Sequence, residues 1–257
     1  LGSFDGNFKT ISNARISTKS VTDVGFVRAM FGGATVKNLN FNFLEVKGVS
    51  NIGGIAGNIS GATAEIKNIK MHRARIEADS QTSLGGSFVG AIVGGNFLPG
   101  AKIVNAQVND SYVRGNDNVG GLVGQLQGAL LFSKFRGEVE VNSGTGLYSG
   151  GLVGSTVGAS SISDSLSEGS IISSATNLAG IAGTNTGSIS RVYSTMAVIQ
   201  NTTAIINIAG IVATAAAGSS IADSYFDGAI KQKSGSAPVI GNIAATGTGT
   251  AINCLTS

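Results

Sequence analysis

The sequence predicts an all-β fold, a right-handed parallel β-helix of about eight coils of about 30 residues, each with three short strands. Three observations predict it. A glycine-bounded apolar tetrapeptide returns at a nearly fixed interval, a second short element keeps phase with it, and no segment carries a helical apolar period.

The tetrapeptide has the form G-(L/I)-(V/A)-G. It reads GIAG at 54–57, AIVG at 91–94, GLVG at 121–124 and 151–154, GIAG at 180–183 and GIVA at 210–213. Weaker copies begin at Gly25 and Gly241, and the successive steps are 29, 37, 30, 30, 29, 30 and 31 residues. Eight to twelve residues later comes an aliphatic residue, a variable one, then usually Asn or Asp. Val36-Lys37-Asn38, Ile66-Lys67-Asn68, Ile103-Val104-Asn105, Ile162-Ser163-Asp164 and Ile221-Ala222-Asp223 follow this rule. Leu131-Phe132-Ser133, Ile189-Ser190-Arg191 and Ile252-Asn253-Cys254 are read as drifted copies. A third, β-branched run such as Val139-Glu140-Val141 or Ile171-Ile172 completes the unit.

Short Val/Ile-rich strands between turn residues are weak alone but pair well when stacked on copies of themselves. The 39 glycines oppose helix, at roughly 1 kcal/mol each relative to alanine. A propeller blade needs about 40–45 residues and four strands, more than this unit supplies. In a solenoid, equivalent residues stack at about 4.8 Å per coil. Ile55, Leu122, Leu152, Ile181 and Ile211 are therefore expected in one buried ladder. Asn and Asp are expected at the bends, with glycine supplying positive φ. The right hand follows the preference of parallel crossovers. The repeat crosses every boundary that could be drawn, so residues 1–257 are read as one repeat domain, a fragment of a longer secreted or surface protein.

The GLVG and GIAG tetrapeptides, the I-K-N-(L/I) runs and the opening FDGNFKTISN of residues 4–13 together resemble the GLUG-repeat domains of bacterial surface and secreted proteins. Such domains occur in filamentous-haemagglutinin-like adhesins and beside immunoglobulin-A-cleaving metallopeptidases. The resemblance covers nearly the whole chain, departing at Ala91, Ala213 and Asn242. It implies a β-helix and an extracellular or cell-surface setting in a bacterium, and it supplies no active site.

Only 12% of residues are charged, so Ser, Thr, Asn and Gly must cover the surface. The one cysteine, Cys254, excludes an intrachain disulfide framework and is read as a small interior ladder residue. No apolar run is long enough for a transmembrane helix. Residues 1–136 hold 14 Lys and Arg against 8 Asp and Glu, and residues 137–257 hold 3 against 6. The densest basic patch is Lys67, Lys70, His72, Arg73 and Arg75. It reads either as a site for anionic glycans or phosphates or as a solvated face balanced by Glu65, Glu77 and Asp79. With no aromatic interleaving it does not read as a nucleic-acid surface.

Catalysis on a β-helix needs clustered carboxylates, as in polysaccharide lyases and glycosidases. The acidic residues here are scattered, and close pairs in the acidic half such as Glu138/Glu140 and Asp223/Asp227 read as solvated strand or bend positions. No metal-ligand spacing or phosphate loop is present, so no cofactor is expected. The reading is a non-catalytic adhesion or binding module that contacts a glycan or protein on another surface. A passive stalk is the first alternative and a polysaccharide-degrading enzyme the second. A homo-oligomer, for example a trimeric fibre, is also expected. Candidate contact residues are Lys70, His72, Arg73 and Arg75 in the patch, and Ser83, Phe88 and Phe97 around the 37-residue step. Tyr112 and Tyr148 beside the bends complete the set, while Tyr193 and Tyr225, in the second element, read more strongly as ordinary ladder residues.

Overall fold

The structure, a computed structural model, describes residues 2–78, 87–96, 98–142, 147–202, 207–235 and 237–256. The chain winds into a parallel β-solenoid of about eight turns with no helix among the described residues. Each turn passes through three sheets. A 15-stranded sheet, the long sheet, carries strands such as Thr35–Gly48, Lys102–Gly115 and Ser161–Ser173. A second sheet holds eight three- or four-residue strands such as Asn118–Gly120, and a third holds eight four-residue strands such as Val123–Leu126. All neighbouring strands pair in parallel, each with the equivalent strand one turn away.

The tetrapeptide lies at the corner where the second sheet turns into the third, so the segment read as one strand belongs to two. Its second residue points inward. Ile55, Ile92, Leu122, Leu152, Ile181 and Ile211 are all fully buried, and each amide donates to the next one's carbonyl at 2.9–3.1 Å. The expected interior ladder is present, and its corner amides and carbonyls are satisfied without water.

Glycine serves close approach at this corner, while the positive φ expected of it is found at other glycines, among them Gly32, Gly100, Gly158 and Gly218. None of the tetrapeptide glycines is left-handed. A Cβ on Gly121 would lie 2.2 Å from the Gly151 carbonyl oxygen, and one on Gly151 would lie 2.0 Å from that of Gly180. At the far end of the motif, a Cβ on Gly124 would meet the Val89 amide nitrogen at 2.4 Å. Backbone therefore packs on backbone. Toward the C-terminus Ala179, Ala209 and Ala213 take glycine places and pack their methyls together with Ala245, which accounts for the departure at Ala213. The other weak copy begins at Asn242, not Gly241, because Ala209 pairs with Gly241 and Val212 with Ala244.

The second and third elements both belong to the long sheet, separated by bends. At the first bend the left-handed backbone falls to Asn38, Asn68, Asn105, Phe132, Asp164, Arg191, Asp223 and Asn253, with φ between 49° and 54°. Asn and Asp tolerate this region best. Register corrects two drifted copies. Leu130 rather than Leu131 follows Ile103, and Ala251 rather than Ile252 follows Ile221.

The next residue in each turn points inward: Leu39, Ile69, Ala106, Ser133, Ser165, Val192, Ser224 and Cys254. Ser133, Ser165 and Ser224 donate to the carbonyl two residues back at 2.7–2.8 Å. Cys254 takes the same slot, its Sγ 3.3 Å from the Ile252 oxygen. It is a ladder residue as expected, though half-buried and in a polar niche.

Gly151→Ala should lower stability by about 2–3 kcal/mol through overpacking against the next turn. Gly33→Ala, whose Cβ would meet nothing closer than Thr63 Oγ1 at 3.5 Å, should lie within about 0.5 kcal/mol of the parent. Denaturant unfolding of the two variants checks the pair, and equal effects would contradict the corner packing.

Candidate binding surface

The long sheet gathers most of the charge of the first half. Its strands in the first four turns, with Arg73 at a bend, carry Lys9, Arg15, Lys37, Lys47, Lys67, Lys70, Arg73, Arg75, Lys102 and Arg114. Against these ten stand five carboxylates: Asp5, Glu45, Glu65, Glu77 and Asp110. One of the three sheets thus carries a local excess of five positive charges.

Side chains of the first bend form an amide ladder up the face. Asn38 Nδ2 donates to Asp5 Oδ1 at 3.1 Å, Asn68 Nδ2 to Asn38 Oδ1 and Asn105 Nδ2 to Asn68 Oδ1, each at 2.9 Å. Phe132, 59% exposed, interrupts it. Beyond that ring, Arg191 holds Asp164 through two bonds of 2.6 and 2.8 Å, and Asn253 donates to Asp223. Arg191 therefore chelates one of its two neighbouring carboxylates. The Asp164 carboxyl is held below its usual range by that guanidinium.

At a second bend, present in the first four turns, the left-handed residues are Asn13, Phe43, Arg73 and Asp110. The guanidinium of Arg73 sits 5.2 Å from the centroid of the Phe43 ring, and Phe43 is 45% exposed. Left-handed backbone at a bulky residue is a strain of about 1–3 kcal/mol. An exposed cation–π contact returns about 0.5–1 kcal/mol, so the pair does not offset its own backbone. Next to it, Asp110 lies 3.5 Å from His72 Nδ1 and 3.9 Å from Arg136 Nε.

Past the second bend the charges pair off. Glu77, only 2% exposed, receives Arg75 at 2.5 Å, Lys47 at 3.0 Å and Arg114 at 3.7 Å. Lys47 and Arg15 also reach Glu45. Burial pushes the Glu77 carboxyl up, but hydrogen bonds from Arg75 and Lys47 and the charges of Arg75 and Arg114 outweigh it, so it titrates below its ordinary 4.5. Arg75 stacks 4.8 Å above the Tyr112 ring, and the Tyr112 hydroxyl donates to Glu140. Burial, then that carboxylate, raises the phenol.

Of the residues singled out from sequence, Lys70, His72, Arg73, Arg75 and Tyr112 share this face. Arg75 and Tyr112 are absorbed into the Glu77 network and are not free for a ligand. Phe88 and Tyr148 lie elsewhere, in one column of the second sheet with Asn118 between them. Ser83, Phe97 and the rest of residues 79–86 lie outside the described residues. Tyr193 and Tyr225 stack on each other at 5.2 Å and 11°, ring on ring, as ladder residues. Sequence reasoning missed Phe43, whose signal is a phenylalanine in a slot that Asn13 and Asp110 fill in other turns.

Glu140 is engaged by Tyr112, and Asp223 and Asp227 by Asn253 and Tyr193. No group of three His, Cys, Asp or Glu among the described residues is placed to hold a metal ion. No described helix is long and apolar enough to cross a membrane. No protein-family model, curated protein or solved structure matches the chain.

Because the folded pKa of Glu77 is depressed, its contribution to stability is full above pH 4.5 and is lost as pH falls through the folded value. Glu77→Gln should cost about 2 kcal/mol at pH 7 by leaving Arg75 and Lys47 without their shared partner. The variant should also show a shallower loss of stability on acidification, read by urea midpoints between pH 7 and pH 3. An unchanged acid limb would remove Glu77 from the account.

Proposed function

We propose that this chain is a non-catalytic binding module of the GLUG-repeat kind, displayed on a bacterial surface or secreted fibre. Its contact surface is the outer face of the long sheet in the first four turns, and the ligand is a glycan or protein of another surface. The observation that carries the reading is the Phe43–Arg73 pair, two large exposed side chains on left-handed backbone where the repeat accepts asparagine. Strain of this kind concentrates where a site needs it, and exposed aromatic and arginine side chains are the residues that anchor interfaces.

A passive spacer accounts for the amide ladder, which stiffens the rod without reference to a ligand. It leaves Phe43 and Phe132 without a purpose, since asparagine at either place would relieve the backbone and at position 132 would also continue the ladder.

Phe43→Asn and Phe132→Asn should each hold or raise stability, by up to about 1 kcal/mol after the lost ring contacts are set against the relieved strain. Phe43→Asn should abolish adherence of the purified chain to cells in a flow assay. Adherence retained by the variant would remove Phe43 from the contact surface, and a parent chain that does not adhere would favour the spacer.

A further inference from the structure

We propose that the ligand of this face is a linear polysaccharide bearing carboxylate or sulfate groups, lying along the rod axis across the first bend. The inference rests on the binding-module reading above and names the chemistry of its partner. Lys37 and Lys67 stand directly opposite each other in register on neighbouring strands. Like charges so placed repel. Lys37 has Asp5 at 3.5 Å, whereas Lys67 and Lys70 form no ion pair among the described residues, and Glu65, two residues from Lys67 on the same outward face, does not reach it.

These lysines flank the amide ladder on both sides. Lys37 and Lys67 precede Asn38 and Asn68, while Lys70 follows, beside Asn40 and Gln107 in its column. Each ladder amide spends one N–H on its neighbour and keeps a second that can reach an anion or a sugar hydroxyl. Rungs recur about every 4.8 Å, so an extended chain crossing them meets ammonium groups and amide donors again and again. Arg73, stacked on Phe43, and Lys102 extend the cationic strip.

By contrast, each of the four cations past the second bend, Arg15, Lys47, Arg75 and Arg114, is held by Glu45 or Glu77. A nucleic acid fits less well. Its bases need aromatic faces on which to stack beside the cations, and the Lys37–Lys67 and Asn40–Lys70–Gln107 columns carry none. The ladder offers hydrogen-bond donors in their place.

The test measures binding of heparin, polygalacturonate and a DNA duplex to the whole chain at low and physiological salt. The variants are the triple K37Q/K67Q/K70Q and, as a distant cation, R191Q. Wild type should bind heparin or polygalacturonate, the preferred one telling sulfate from carboxylate, with affinity falling as salt rises. The triple variant should bind about tenfold more weakly, from three exposed charges at a few tenths of a kcal/mol each. R191Q should match wild type. The triple variant should also melt no lower than wild type, since it removes a repelling pair, which separates lost binding from lost folding. Failure of both polysaccharides to bind, tighter binding of DNA, or equal binding by the triple variant would each overturn the inference. Adherence to cells without polysaccharide binding would leave the binding module standing and remove only this ligand. Absence of both would remove the two together.

Discussion

Everything in this molecule hangs on how closely two sheets approach at the glycine corner. A methyl group on Gly121 or Gly151 would collide with the carbonyl of the next turn, so the tetrapeptide is a steric requirement before it is a hydrophobic one. Glycine permits backbone to lie on backbone, and the buried Leu or Ile between the glycines fills the space so enclosed. The cost of so many glycines is conformational entropy. It is offset by a corner whose amides bond from turn to turn and whose apolar rungs are fully removed from water.

That corner fixes the register, and the register decides what each surface column contains. The left-handed slot of the first bend shows the logic. Asparagine satisfies the backbone and also bonds its copies above and below, so the fold needs nothing more. Departures from it are therefore informative. Arg191 remains compatible with the ladder because it chelates Asp164. Phe132 brings no such bond and leaves its ring in solvent, as Phe43 does in the left-handed slot of the second bend. These are the places where the demands of folding and the chemistry of the surface diverge.

The period, the buried ladder and the Asn/Asp bends were legible because each depends on residue type repeated in phase. The corner was not, since a short apolar run between glycines reads as a strand until its collisions with the next turn are known. Two copies slipped by one residue, at Leu131 and Ile252, because an aliphatic neighbour stood beside the true rung. The basic patch was visible as composition, yet its division was hidden. Lys47 and Arg114 reach Glu77 from turns on either side, a fact that only register provides, and this leaves Lys67 and Lys70 without an ion pair among the described residues while Arg75 is spent. Phe88 and Tyr148 illustrate the same limit, for without the sheet assignment nothing separates them from the face that holds Lys70.

Native-state hydrogen exchange would test the central role of the corner most directly. The amides of Ile92, Leu122, Leu152 and Ile181 should exchange only through global unfolding, more slowly than those of the first-bend residues Asn68, Asn105 and Asp164 in the same turns. Corner amides that open before the bends would contradict the account.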